Sequence, residues 1–176
     1  ATEYGGDKGI FGYGTTGSLV SMTNLVSNVG VVATDTDGVG TARRSITGCG
    51  YGDDKGIFGF GTDGSPTGVT NLVSNAGVVA TDVSAVGTAR KNPGACEFGD
   101  DKAIFGFGGN GSYVSMTNLV SNVGVVATDV TGVGTARYYP AACEYGADKG
   151  IFGYGLTGSD VSMTNLVTNV GVVGTD

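Results

Sequence analysis

The chain contains no histidine and no tryptophan, three cysteines, three prolines, and nine Lys and Arg against sixteen Asp and Glu. Without histidine, neither a Ser-His nor a Cys-His nucleophile pair can be assembled. Paired carboxylates of the glycosidase kind stay open, because their separation is a tertiary property. Sites repeated at a fixed interval nevertheless argue against one asymmetric catalytic centre, so no enzyme and no cofactor is expected. The scarcity of Lys and Arg leaves no basic stripe for neutralising phosphates, which speaks against nucleic acid as a partner. The net charge of −7 favours solubility. No apolar run approaches the roughly 20 residues of a membrane span, and the first residues show no signal-peptide pattern.

Cys49, Cys96 and Cys143 occupy one position in three successive repeats, where the first repeat has Thr2. Equivalent positions on neighbouring units are expected to lie beyond the roughly 7 Å between Cα atoms that a disulfide tolerates. The expected role is a small buried apolar side chain. No closely spaced ligand pair suggests zinc.

What is plentiful is glycine, 35 of 176 residues, and repetition. Tyr4–Gly14, Tyr51–Gly61, Phe98–Gly108 and Tyr145–Gly155 are near-copies that start 47 residues apart, and Asn24, Asn71, Asn118 and Asn165 keep the same step. A period in the range of about 20–50 residues marks a solenoid, a propeller or an array. The whole span 1–176 is read as a single repeat domain of four units, about 1–47, 48–94, 95–141 and 142–176, the last truncated.

Within Gly40–Val86 the pattern predicts four strands: Ser45–Gly50, Lys55–Gly61, Val69–Asn75 and Val78–Asp82. Gly52-Asp53-Asp54 supplies turn chemistry between the first two. Such a density of glycine is incompatible with helix, while the β-branched and aromatic residues suit strands. Alternation on the second strand predicts that Phe58 and Phe60 share one face, with Ile57, Gly59 and Gly61 on the other. Phe11/Tyr13, Phe105/Phe107 and Phe152/Tyr154 repeat the arrangement. Rings of one sheet are expected to press on the bare glycine face of a neighbour. The fold class expected is all-β, a β-propeller-like array of four-stranded antiparallel blades.

The order Ala-Arg, apolar strand, Gly-Asp turn, Ile-Phe-Gly-Phe-Gly, further strand and Asp resembles the kelch-type propeller repeat. Arg43, Arg90 and Arg137 match that family's Arg, and Gly12 and Gly14 with their equivalents sit near its paired glycines. Here the glycine pair is split into Gly-x-Gly and the family's Trp is absent. The wording is also similar to near-identical repeats in tail-associated proteins of environmental bacteriophages. That resemblance implies a virion or extracellular location and a structural role.

Four whole units would run to 188 residues, 12 more than the chain has, the missing stretch corresponding to Thr36–Thr47. A longer propeller, a strand supplied by a second copy, or closure with a shortened strand are the three outcomes left open. Open sheet edges invite pairing, so head-to-tail self-association is expected.

Arg43, Arg90 and Arg137 are the candidate binding residues. One reading gathers them at a channel mouth to grip an anion. The other has each bonding loop carbonyls or pairing with Asp35, Asp82 or Asp129. The Asp-Lys pairs at 7–8, 54–55, 101–102 and 148–149 read as solvated turn charges. Thr34–Gly38 is similar to part of a calcium loop but lacks its closing Glu. Asn110 heads a glycosylation sequon. The loops that vary most, Thr15–Val20, Thr62–Gly68, Gly109–Val114 and Leu156–Val161, are where contact specificity would reside. The leading functional expectation is a structural and interaction repeat protein of a virion tail or extracellular filament. The alternative is a multivalent lectin recognising cell-surface glycan.

Overall fold

Two successive residues with positive φ close the first hairpin of every repeat: Gly5 and Gly6, Gly52 and Asp53, Gly99 and Asp100, Gly146 and Ala147. Glycine reaches this region without strain, and Asp tolerates it because its short polar side chain bonds locally. The tips carry the ion pairs Asp7–Lys8 (2.8 Å), Asp54–Lys55 (2.7 Å), Asp101–Lys102 (2.8 Å) and Asp148–Lys149. These pairs range from half-buried to exposed and remain within reach of solvent, as turn charges do.

The computed structural model describes residues 1–176 and is built of strands alone. Sheet 1 comprises β1 (Thr2–Tyr4), β2 (Lys8–Thr15) and β3 (Leu19–Val26). Sheet 2 comprises β4 (Thr47–Tyr51), β5 (Lys55–Gly59) and β6 (Thr70–Val73). Sheet 3 holds β7 (Gly94–Phe98), β8 (Lys102–Gly106) and β9 (Thr117–Val120). Sheet 4 holds β10 (Ala141–Tyr145), β11 (Lys149–Gly153) and β12 (Thr164–Val167). Each is an antiparallel meander in chain order. Register is conserved across repeats: Cys49 faces Ile57, Cys96 faces Ile104, and Cys143 faces Ile151.

The sheets are therefore three-stranded, which corrects the expectation of four-stranded blades. The segment around Val78–Val83 forms no continuous ladder with β6, only two isolated backbone bridges, Val73 to Val79 and Thr70 to Val83. Those bridges are out of step by one residue, so the ladder cannot run continuously. The extra residue lets Asp82 turn away from the sheet edge to bond Asn71 and Thr41. The same slip recurs at 26/32 with 23/36 and at 120/126 with 117/130.

The predicted ring-on-glycine packing is present. Gly12 lies under Phe58, Gly59 under Phe105, and Gly106 under Phe152; a Cβ on Gly59 or Gly106 would stand 2.7 Å from the facing ring. The central phenylalanine of sheets 2, 3 and 4 thus points back onto the preceding sheet. Phe58, Phe60, Phe105, Phe107 and Phe152 are wholly buried. Burying a phenylalanine stabilises by about 1.5–3 kcal/mol.

One orientation differs from the expectation. Phe58 contacts sheet 1 through Tyr13, whereas Phe60 contacts sheet 3 through Phe105. The two rings face opposite ways because Phe60 has φ of 61°, which breaks the two-residue alternation. Tyr13, Phe107 and Tyr154 share this backbone state, with φ of 64°, 63° and 61°. In sheet 1 it coincides with a bulge between Gly12 and Gly14. A bulky residue here costs roughly 1–2 kcal/mol, which at Tyr13, Phe60 and Phe107 the edge-to-face ring pair and ring burial offset.

The core is consequently divided among the three junctions between sheets. Tyr4, Ile10, Phe58 and Val73 fill the first; Ile57, Phe60, Phe105 and Val120 the second; Phe98, Ile104, Phe107 and Phe152 the third. The outer faces of sheets 1 and 4 receive no such cover. Phe11 is 53% exposed and Tyr154 63% exposed, although their repeat equivalents Phe58 and Phe60 are fully buried. All cysteines are free; Cys49 and Cys96 are buried, whereas Cys143, on the uncovered face of sheet 4, is exposed.

Candidate functional site

Each junction is crossed by one arginine delivered by the linker between sheets. Arg43 Nε donates to Phe60 O (2.9 Å), Nη1 to Thr41 O (3.1 Å) and Nη2 to Asn71 Oδ1 (2.7 Å). Its guanidinium Cζ sits 4.3 Å from the centre of the Tyr13 ring on sheet 1. Arg137 repeats the set with Tyr154 O (2.7 Å), Thr135 O (3.1 Å) and Asn165 Oδ1 (2.7 Å), lying 3.9 Å above Phe107. Arg90 bonds Phe107 O (2.9 Å) and Thr88 O (3.3 Å) and lies 3.9 Å above Phe60. In that middle junction, however, Arg90 Nη2 and Asn118 Oδ1 are buried without partners. The planar guanidinium, with donors in fixed directions and a stackable face, suits this position in a way lysine would not.

A carboxylate completes each arrangement. Asp82 accepts from Thr41 N (3.0 Å), Thr41 Oγ1 (2.6 Å) and Asn71 Nδ2 (2.9 Å). Burial alone would raise its pKa, but the hydrogen bonds from Thr41 and Asn71 outweigh that and hold it below the ordinary carboxylate value. Asp129 serves Thr88 and Asn118 in the same way and lies 3.9 Å from Arg90, while Asp176 serves Thr135 and lies 3.6 Å from Arg137. Burial pulls the Arg90 guanidinium down to about 10, opposed by Asp129. The linker glycine before each Thr-Ala-Arg is required by contact: a Cβ on Gly40 would stand 2.6 Å from Asn71 Nδ2, and φ there is 80°.

The structure thus places Arg43, Arg90 and Arg137 inside the junctions with no exposed surface. A ligand could reach any of them only by parting two sheets. Asn71 and Asn165 accept from Arg43 and Arg137 and carry half of the arrangement, and Asn118 holds the equivalent position without bonding Arg90. The recurring Asn-Leu-Val phrase marked these asparagines in the sequence, but no one-dimensional signal ties Asn71 to Arg43, 28 residues away.

A second concave feature lies where the first strands converge. Ala1–Glu3, Gly48–Gly50, Ala95–Glu97 and Ala142–Glu144 line an open cavity of about 430 Å3. Glu3, Glu97 and Glu144 stand at one repeat position where sheet 2 has Gly50. A side chain on Gly50 would collide with the Glu97 carboxylate. Burial, followed by repulsion from Glu3 and Glu144, pushes Glu97 up to about 7. Cys96, beneath Gly150, is pushed up to about 12 by burial, so it is no ready nucleophile. No three His, Cys, Asp or Glu side chains are arranged to hold a metal ion.

Outside the junctions, Tyr113, Tyr138 and Tyr139 form an aromatic cluster beside the varied loop Gly109–Val114. Asn110 is exposed in that loop. No family model matches the chain, and no curated protein is detectably similar to it.

Proposed function

We propose that the chain is a non-enzymatic structural and interaction protein whose four sheets form a propeller-like arc and whose two end faces join copies head to tail. The observation that supports this reading is the match between those faces. Gly153, Tyr154 and Gly146 on sheet 4 repeat the surface that sheets 1 to 3 bury; a Cβ on Gly146 would meet nothing within 4 Å, and one on Gly153 would touch only Thr164 of its own sheet. Phe11 and Gly30 on sheet 1 repeat the surface that sheets 2 to 4 bury, with nothing within 4 Å of a Cβ on Gly30. A heterologous contact of this kind yields a ring when its rotation closes and a filament when it does not. A component of a virion tail or an extracellular filament is the setting we propose, resting on the resemblance to phage tail-associated repeats.

The test is mass against concentration by sedimentation and light scattering, with negative-stain microscopy of the assembled form. Gly153→Ala and Tyr154→Ser should keep the monomer folded and hold it monomeric. A wild-type chain that stays monomeric at millimolar concentration sinks the reading.

A second reading, glycan binding, has one observation in its favour: Tyr139 is 62% exposed beside Tyr138 and Tyr113. The cluster occurs in one repeat, so it would offer one sugar site per chain. Binding on a glycan array that Tyr139→Ala abolishes would establish it.

A further inference from the structure

Three of the four sheets receive a Gly-Thr-Ala-Arg segment on the same carboxylate and carbonyl acceptors, and sheets 2 and 4 add the Asn Oδ1. Sheet 2 takes Gly40–Arg43 on Asn71, Asp82 and Phe60 O, sheet 3 takes Gly87–Arg90, and sheet 4 takes Gly134–Arg137. Sheet 1 carries the same acceptors already set. Asn24 Nδ2 donates to Ala33 O (3.1 Å) and Asp35 Oδ1 (2.8 Å), matching Asn71 Nδ2 with Ala80 O (3.1 Å) and Asp82 Oδ1 (2.9 Å). Those bonds fix the amide, so its Oδ1 faces outward as the Asn71 Oδ1 that receives Arg43 does. Tyr13 occupies the position of Phe60, with the same left-handed backbone, which aims its carbonyl as the one accepting Arg43 Nε is aimed.

We propose that Asn24, Asp35 and the Tyr13 carbonyl form a docking site for an extended Gly-Thr-Ala-Arg segment of a further repeat unit, because Gly40–Arg43, Gly87–Arg90 and Gly134–Arg137 are each held in their own junction. The proposal deepens the assembly reading and rests with it on the equivalence of the four sheets. Recognition has three parts. The Asp35 carboxylate takes the Thr amide and hydroxyl. Asn24 Oδ1 and Tyr13 O take two edges of the guanidinium, a planar fork that lysine cannot imitate. The glycine keeps Cβ atoms away from Asn24 and Asp35, as Gly40 does at Asn71 and Asp82. When a second chain packs its sheet 4 on sheet 1, Tyr154 supplies the ring over the guanidinium, as Tyr13 does for Arg43. Occupation of the site and end-to-end joining therefore reinforce one another.

The probe is a synthetic peptide with the sequence of residues 37–44, titrated into the full chain carrying Tyr154→Ser, which leaves sheet 1 intact and separates binding from assembly. Saturable binding is expected, with shift changes in the amide NMR spectrum confined to sheet 1. Asn24→Ala and Asp35→Asn should each weaken it roughly tenfold or more, the scale of a lost charged hydrogen bond. Peptides carrying Arg43→Lys or Gly40→Ala should lose binding to the same degree. Absence of binding to the folded chain, equal binding of the Arg-to-Ala peptide, or indifference to both sheet 1 substitutions overturns the proposal. A chain that binds the peptide yet never assembles sinks only the assembly reading. A chain that assembles yet ignores the peptide sinks only this one.

Discussion

Arg90 lies flat over the ring of Phe60, with Cζ 3.9 Å from its centre, while its Nε donates to the Phe107 carbonyl. One side chain from a linker thereby clamps the end of β5 to the end of β8. A stacked array is stable only insofar as its nearest-neighbour junctions are. The measurable consequences accordingly concentrate at these junctions.

The three arginines are not equal. Arg43 has every donor group engaged, whereas Arg90 Nη2 and Asn118 Oδ1 face the interior unpaired. Arg43→Met should cost about 2–4 kcal/mol, by orphaning Asn71 Oδ1 and Phe60 O. Arg90→Met should cost less, about 1 kcal/mol, because an uncompensated buried donor disappears with it. Urea denaturation midpoints of the two variants test the order; equal losses would refute it.

Glycine contacts make a second contrast. Gly59→Ala drives a Cβ to 2.7 Å from Phe105 Cζ inside a closed junction. The expected loss is about 1–3 kcal/mol. Gly153 is its repeat equivalent on the open face, where the nearest atom is Thr164 Cγ2 at 3.6 Å. Gly153→Ala should change monomer stability by less than about 0.5 kcal/mol. Thermal melts on dilute samples separate the two.

Stability should fall as pH rises through neutrality. The Glu97 pKa is raised in the fold, from 4.5 to about 7, by burial and then by Glu3 and Glu144. The folded state thus holds the proton more tightly than the unfolded chain does. This contribution is complete below about pH 4.5 and is lost as pH climbs through about 7. Glu97→Gln should flatten the difference in denaturation midpoint between about pH 5 and about pH 8. An unchanged slope would show that the carboxyl titrates normally.

Ala147 carries φ of 69° at the fourth hairpin tip, where the other repeats place Gly6, Asp53 and Asp100. Ala147→Gly should raise stability by about 0.5–1 kcal/mol, relief of the left-handed strain exceeding the added freedom of the unfolded chain. Ala147→Asp should gain as well without that entropic offset. A loss of stability in both would mean the tip is not strained.

Much of this architecture was legible before any coordinates. The 47-residue step, the Gly-Asp hairpins, the all-strand character and the pressing of rings on glycine follow from local rules of spacing and backbone freedom. The opposite orientation of Phe60 was not legible, since alternation assumes an unbroken strand and the positive φ at this position in every repeat breaks it. Nor was the loss of the fourth strand, because a one-residue slip at Val83 leaves the strand-like composition untouched.

The burial of Arg43, Arg90 and Arg137 belongs to the same class. The sequence leaves two readings open, an anion grip or bonds to loop carbonyls and Asp, and the choice between them depends on partners that lie on other sheets. By itself the sequence determined the repeated unit, its turns and its apolar face, all short-range properties of a chain with fixed periods. Only the tertiary structure decided which sheet each ring would touch, where each guanidinium would lie, and that the outer faces of sheets 1 and 4 would stay uncovered. Those outcomes depend on contacts between residues distant along the chain, and periodicity carries no information about what lies beyond the last neighbour.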